Sequence, residues 1–207
     1  MGIENFITFI FTAFIFVITP GIDTVFVLNK SISQGKKSGI HAALGINSGV
    51  LAHTLFAALG LSVLISKSDY AFTIIKYSGA VYLLYMGISS LINNKSLIIS
   101  ESNKNLETKR KSDFWSGFIT NLLNPKVALF FLALFPQFIN PNDLENPIPF
   151  ILLGITFSAI GIIWYLSLTL FAGLFSQKFQ ENPKAGLWLN KISGCIFILM
   201  GLMIALT

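Results

Sequence analysis

Two stretches centred on proline decide how this chain is read. One is Phe14-Ile15-Phe16-Val17-Ile18-Thr19-Pro20-Gly21-Ile22-Asp23, and the other is Thr120-Asn121-Leu122-Leu123-Asn124-Pro125-Lys126. Each lies in a run of otherwise apolar residues. A proline within a helix removes one backbone hydrogen bond and crowds an upstream carbonyl. In lipid, backbone groups freed in this way are tolerated only where protein or a water-filled cavity satisfies them. Helix breaks at Pro20, Gly21 and Pro125 therefore imply either packing kinks or a polar pocket.

The runs around these breaks set the class. Of 207 residues, 54% are hydrophobic and 11% charged. A soluble domain carries about 25% charged residues, so this chain has too few to cover a surface facing water. Asp, Glu, Lys and Arg are absent from Asn5–Ile22, Ser38–Ser66, Tyr77–Asn94 and Asn146–Gln177. Only Lys126 interrupts Phe114–Asn142, and only Lys191 interrupts Ala185–Thr207. A spanning helix needs roughly 20 mostly apolar residues. The reading is an all-α integral membrane protein with six transmembrane helices, of which 1 and 4 are broken. Strict period-two alternation is missing, which argues against a barrel. Glu4 in place of a basic n-region reads span 1 as retained rather than cleaved. The single Cys195 has no internal disulfide partner.

The basic residues suggest an orientation. Lys30, Lys36, Lys37, Lys95, Lys104, Lys109, Arg110, Lys111, Lys178, Lys184 and, at the edge, Lys191 fall on the connections between spans 1–2, 3–4 and 5–6. Only Lys67 and Lys76 fall on the other side. Basic loops favour the cytoplasm, so both termini are expected outside, in a multi-pass protein of the cell's inner (plasma) membrane. The net charge of +5 reflects that orientation rather than a nucleic-acid partner.

The polar stretch 93–113 reads as a cytoplasmic linker within one transmembrane domain, 1–207. It separates repeat 1 (1–92) from repeat 2 (114–207). Pro20 matches Pro125. Leu44-Gly45-Ile46 matches Leu153-Gly154-Ile155, and Lys76-Tyr77-Ser78-Gly79 matches Lys191-Ile192-Ser193-Gly194. Three matches in the same order indicate a duplicated unit. A unit of three spans enters the membrane upside down in its second copy. This is the 3+3 inverted repeat of many secondary transporters, whose matched helix breaks point to the binding site.

Candidate site residues follow from that plan. Asp23 sits in the first turn of the half-helix restarting after Pro20. It is either an acid favoured by the helix dipole or a ligand for a substrate ammonium or a proton. Lys126 follows Pro125, where its charge opposes the dipole. It either snorkels to an interface, pairs with Asp23, or binds a substrate carboxylate. Asn121 and Asn124 flank the second break. On span 2, His41, Gly45, Gly49, His53 and Ala57 form a ridge, with Asn47 beside it. His53 is either a packed core histidine or a proton carrier. The faces Gly154, Ser158, Gly161, Tyr165 and Ser78, Tyr82, Tyr85, Ser89 read most simply as packing surfaces, with Tyr82 also a candidate to line a pathway. The two histidines are too far apart on a helix to share a metal, so no metal site and no cofactor are expected. No phosphate loop, metalloprotease motif or nucleophile elbow is present. An enzyme is therefore not expected, and any coupled energy must come from an ion or proton gradient.

These residues resemble the LysE superfamily of amino-acid exporters, in particular its RhtB branch (homoserine, threonine and leucine efflux). The resemblance runs through Thr19-Pro20-Gly21-Ile22-Asp23, Ser31-Ile32-Ser33-Gln34-Gly35, the stretch Gly45 to His53, Gly79 to Gly87, Gly117-Phe118, Asn121 to Lys126, Phe130-Phe131 and Pro136-Gln137-Phe138. It implies secondary export of an amino acid across the lipid bilayer by proton antiport. The family has Pro where Ile22 stands, so a looser turn is expected here. Exporters of basic amino acids in the superfamily carry an acid near Asn47-Ser48. Its absence points to a neutral substrate such as homoserine, threonine or leucine. Two other readings stay open: efflux of a different small solute or a divalent cation by the same fold, and a membrane-embedded enzyme. Small-residue faces permit a homodimer without requiring one.

Overall fold

The computed structural model describes residues 2–61, 69–92, 111–172, 174 and 183–206. Helix α1 is Phe6–Ile18 and α2 is Ile22–Gln34. Helix α3, Lys36–Phe56, runs on through a wider π turn, Ala57–Leu61. Helix α4 is Asp69–Ile92 and α5 is Lys111–Leu122. Helix α6, Pro125–Leu129, continues through a π turn, Phe130–Leu134, and a tighter 3-10 turn, Phe135–Phe138. Helices α7, Pro147–Leu170, and α8, Pro183–Leu206, complete the chain. The described residues are helical throughout apart from turns and one isolated bridge, Ile3 to Ile139.

Among the described residues, two helices, Lys36–Gly60 and Pro147–Leu170, are long and apolar enough to cross a membrane. The number rises to four when each bent pair counts as one span: α1 with α2, bent by 53°, and α5 with α6 and its continuation, bent by 47°. With 13 residues each, α1 and α2 are about 20 Å long. Neither alone crosses a hydrocarbon core of about 30 Å.

The element bounds move from the sequence expectation at three places. The first unit does not stop at Ile22. It restarts there and continues to Gln34, past Lys30, because Lys30 finds an acidic partner and lies between helices. Residues 111–113 belong to α5 rather than to a linker, since Asp113 is buried in that same pairing. The rest of the expected linker, 93–110, lies outside the described residues, as do Lys67, Lys95, Lys104, Lys109, Arg110 and Lys178.

Local chemistry explains the starts. Asn146 caps α7 by accepting from Ile148 N at 3.0 Å, with Pro147 at the first helical position. Gly35, at φ 87°, turns α2 directly into α3, a backbone conformation that favours glycine.

Helix α3 is central and packs on α2, α5 and α7, while α1 packs on α7. The contact of α3 with α5 is backbone-close. A Cβ on Gly45 would run into the Phe114 carbonyl, and one on Gly117 would come 2.6 Å from Ala42 O. Helices α4 and α8 form a second close pair through Gly87 and Gly194.

Two apolar clusters form the core. The larger contains Phe9, Phe16, Phe130, Phe131, Phe135, Phe138, Phe150 and Phe157. Its rings meet at centroid distances such as 4.4 Å for Phe16–Phe130 and 4.7 Å for Phe130–Phe157. The smaller contains Val27, Leu28, Ala42, Ala43, Ile46, Tyr165, Leu168 and Ala172. The outward faces carry Phe11 and Phe14 on α1, Leu51 and Leu55 on α3, and Val81, Tyr85 and Ile88 on α4. This is the apolar coat expected of helices that meet lipid.

Candidate functional site

Both proline stretches are breaks in the fold, and they meet. Helix α1 ends where Thr19 Oγ1 donates back to Ile15 O at 2.6 Å. The chain passes extended through Gly21 (φ −155°, ψ −168°) and α2 begins at Ile22. Gly21 lies beside the Lys126 side chain, in an extended conformation open to other residues. A Cβ there would lie 3.4 Å from Lys126 Cδ. Ile22 takes the first helical position, where a proline also fits because that N–H has no partner within the helix.

Asp23 is buried in the first turn of α2. Its Oδ2 accepts from Asn121 Nδ2 at 2.8 Å. Its Oδ1 is buried without a hydrogen-bond partner, and so is Asn121 Oδ1. A buried carboxylate oxygen with no donor costs free energy that folding alone does not recover. Such residues in membrane segments are by default functional candidates.

At the second break, Asn124 Oδ1 accepts from Lys126 N at 3.0 Å and caps α6, with Pro125 first in the helix. The Lys126 ammonium turns away from its own helix. It donates to Phe16 O at 2.9 Å and Thr19 O at 2.8 Å. It also lies 4.4 Å from the Phe16 ring centroid and 5.3 Å from that of Phe197. A charge unfavourable at the N-terminus of α6 thus becomes favourable at the C-terminal carbonyls of α1. Lys126 is buried, so it does not snorkel. The described residues show one ion pair, Lys30 with Asp113, and Lys126 makes none with Asp23. Two of its three ammonium hydrogens are engaged, which leaves one.

One pocket lies between the breaks, lined by Asp23, Thr24, Asn121, Asn124, Lys126 and Tyr165, with Phe16, Val17, Val50, Val127 and Phe157 as its apolar wall and Gly21 and Gly161 at the close approaches. Its free space is on the order of one water molecule. The phenylalanine cluster closes one side, and the cluster around Val27, Ile46 and Leu168 closes the other.

Of the residues singled out from sequence, Asp23, Asn121, Asn124, Lys126 and the breaks Pro20, Gly21 and Pro125 come together here. His53 stands one step back. Its Nε2 lies 3.3 Å from Asn121 O, and its ring stacks on Phe131 at 5.7 Å. Asn47 is buried on α3, with Nδ2 donating to Ala43 O at 2.9 Å and Oδ1 accepting from Ser158 Oγ at 3.5 Å. Neither lines the pocket. Tyr82 lies against Tyr85 on α4 and does not line the pocket; α4 packs on α8 and on the π turn Phe130–Leu134. Tyr165 and Gly161, read from sequence only as packing residues, line the pocket. So do Phe157 and Thr24, which carried no signal in uniformly apolar or helical surroundings. Among the described residues, no three His, Cys, Asp or Glu side chains come together.

Comparison with known proteins adds a family to this geometry. The sequence model of the LysE type translocator matches residues 14–207. The chain is 34% identical over 206 residues to an uncharacterized membrane protein, YrhP, of Bacillus subtilis, covering 96% of this chain and 97% of that one. It is 30% identical over 205 residues to an uncharacterized membrane protein of Vibrio cholerae, covering 99% and 98%. It is 31% identical over 201 residues to a leucine efflux protein of an Enterobacter species, covering 95% and 93%. No solved structure matches.

Proposed function

The chain belongs to the LysE type translocator family, and on that premise we propose that it is a secondary exporter of a neutral amino acid, of the RhtB type. Membership of a translocator family supports export of an amino acid or small solute and points away from enzymatic activity. The finer reading rests on the pocket. Asp23 Oδ1, buried and without a donor, is suited to a substrate ammonium or a coupling proton. The remaining Lys126 hydrogen and the uncapped N–H groups at the start of α2 suit a carboxylate. The wall of Phe16, Val50, Val127 and Phe157 suits an apolar side chain. A leucine-sized substrate needs the pocket to widen, as alternating access requires.

The matched breaks support six spans in a 3+3 inverted repeat. Asp23, after the first proline, reaches Asn121 on the half-helix before the second break. Lys126, after the second proline, reaches the last carbonyls of the half-helix before the first. Helices α4 and α8, with 24 residues each, supply the third span of each half. The distribution of basic residues supports termini outside the inner membrane, and we take the coupling ion to be the proton.

The test is a panel of radiolabelled amino acids in inside-out vesicles, with and without a pH gradient. We expect accumulation of one or more neutral amino acids, faster with the gradient. Movement of divalent cations and of no amino acid overturns the reading.

A further inference from the structure

The pocket is closed toward both membrane faces by contacts between the two halves of the chain, and the two closures differ in chemistry. Toward one face, α1 begins and the segment after α6 ends. There the chain N-terminal to α1 lies along residues 138–140. Glu4 N donates to Phe138 O at 2.8 Å and Asn140 N to Gly2 O at 2.8 Å, over the phenylalanine cluster. Toward the other face, α2 ends and α5 begins. There the tie is ionic. Lys30 Nζ donates to Asp113 Oδ1 at 2.6 Å and Ser38 Oγ to Asp113 Oδ2 at 2.7 Å. Ser38 also lies 3.1 Å from Gln34 Oε1.

Helices α2 and α5 run away from the pocket side by side. Asp23 and Asn121 meet at its edge, while Lys30 and Asp113 meet about 10–12 Å further along by helical rise. Asp113 is 3% exposed. Lys30 is 20% exposed, and an ion pair buried at one end is weak evidence for stability, because desolvation offsets much of the attraction. It is better suited to fixing one of two arrangements. It also parts more readily than a phenylalanine cluster once water reaches it, because both ions regain hydration. Lys30, Lys36 and Lys37 all lie on this face.

We infer that Lys30, Asp113 and Ser38 form the gate on the basic face of the transporter, tying α2 of one half to α5 of the other and parting to admit substrate. This deepens the exporter reading and rests on it for the word substrate. Opening, however, can be read without transport. The probe is a single cysteine, Thr24→Cys in the pocket wall, in protein carrying Cys195→Ala and held in lipid nanodiscs. The measurement is its rate of modification by a small charged methanethiosulfonate.

Lys30→Gln and Asp113→Asn should each speed modification about tenfold, since loss of a tie worth a few kT raises a minor open state. The exchanged pair, Lys30→Asp with Asp113→Lys, should return it toward the parent rate. Should the single charge variants not fold, Ser38→Ala keeps both charges and should give a smaller rise. Unchanged rates in the single variants and in Ser38→Ala, or an exchanged pair as open as the singles, overturn the gate. Efflux assayed in the matching gate variants and their parent with Thr24 intact, so that the pocket wall is unaltered, separates the two ideas. Faster modification in a protein that moves no amino acid keeps the gate and removes the exporter.

Discussion

The two proline breaks occupy matched positions and do opposite work. At the second, the helix start and the lysine after the proline both find partners. Asn124 caps α6, and Lys126 closes the carbonyl end of α1 with two hydrogen bonds and two aromatic faces. At the first, α2 starts on Gly21 without a side-chain cap, and Asp23 keeps one buried oxygen without a donor. One break is a clamp and the other is an open valence. Both prolines interrupt an apolar helical run, and the residues after them differ: Lys126 is held by carbonyls, while Asp23 keeps an oxygen without a donor.

The contrast can be broken by substitution, and the largest effect belongs to the open break. Asp23→Asn removes the charge and keeps the shape. Efflux per molecule should fall about 100-fold, the loss of one charged hydrogen bond at about 3 kcal/mol. Membrane abundance and Tm should hold or rise, because an unpaired buried carboxylate is a cost to the fold. Normal efflux removes Asp23 from the mechanism. Lys126→Met at the clamp should act on the fold first. With the Phe16 and Thr19 carbonyls stripped of their donor, stability should drop by about 2–4 kcal/mol, seen as a lower Tm and a smaller membrane-inserted fraction. A stable Lys126→Met protein that cannot transport would instead make Lys126 a substrate ligand alone. Asn124→Ala sharpens the same point at smaller scale. Loss of the cap should cost about 1 kcal/mol, again in Tm, and because Asn124 also lines the pocket beside Asp23, efflux per folded molecule should fall, by less than in Asp23→Asn.

Punctuation made the breaks legible. Proline in an apolar run has few physical explanations, and Asp23, Asn121, Asn124 and Lys126 stood beside it. The partner of Lys126 was not legible, because backbone carbonyls of Phe16 and Thr19 leave no mark in sequence. The Lys30–Asp113 pair was hidden for a related reason: its members are 83 residues apart, and each looks like an ordinary loop charge. Tyr165 and Phe157 lie in a helix that is apolar all round, where periodicity cannot say which face turns inward. Tyr82, whose hydroxyl suggested a pathway, stands outside the pocket, on a helix held close to α8 through Gly87 and Gly194.

The most direct test of the account asks whether the Asp23 carboxyl is the group that meets substrate. Dicyclohexylcarbodiimide modifies carboxyls in apolar surroundings, and its adduct at Asp23 can be followed by mass spectrometry of the purified protein in lipid. The account expects Asp23 to be modified and expects the amino acids that the vesicles transport, and no others, to slow that modification. Modification at the same rate with and without every transported amino acid contradicts it.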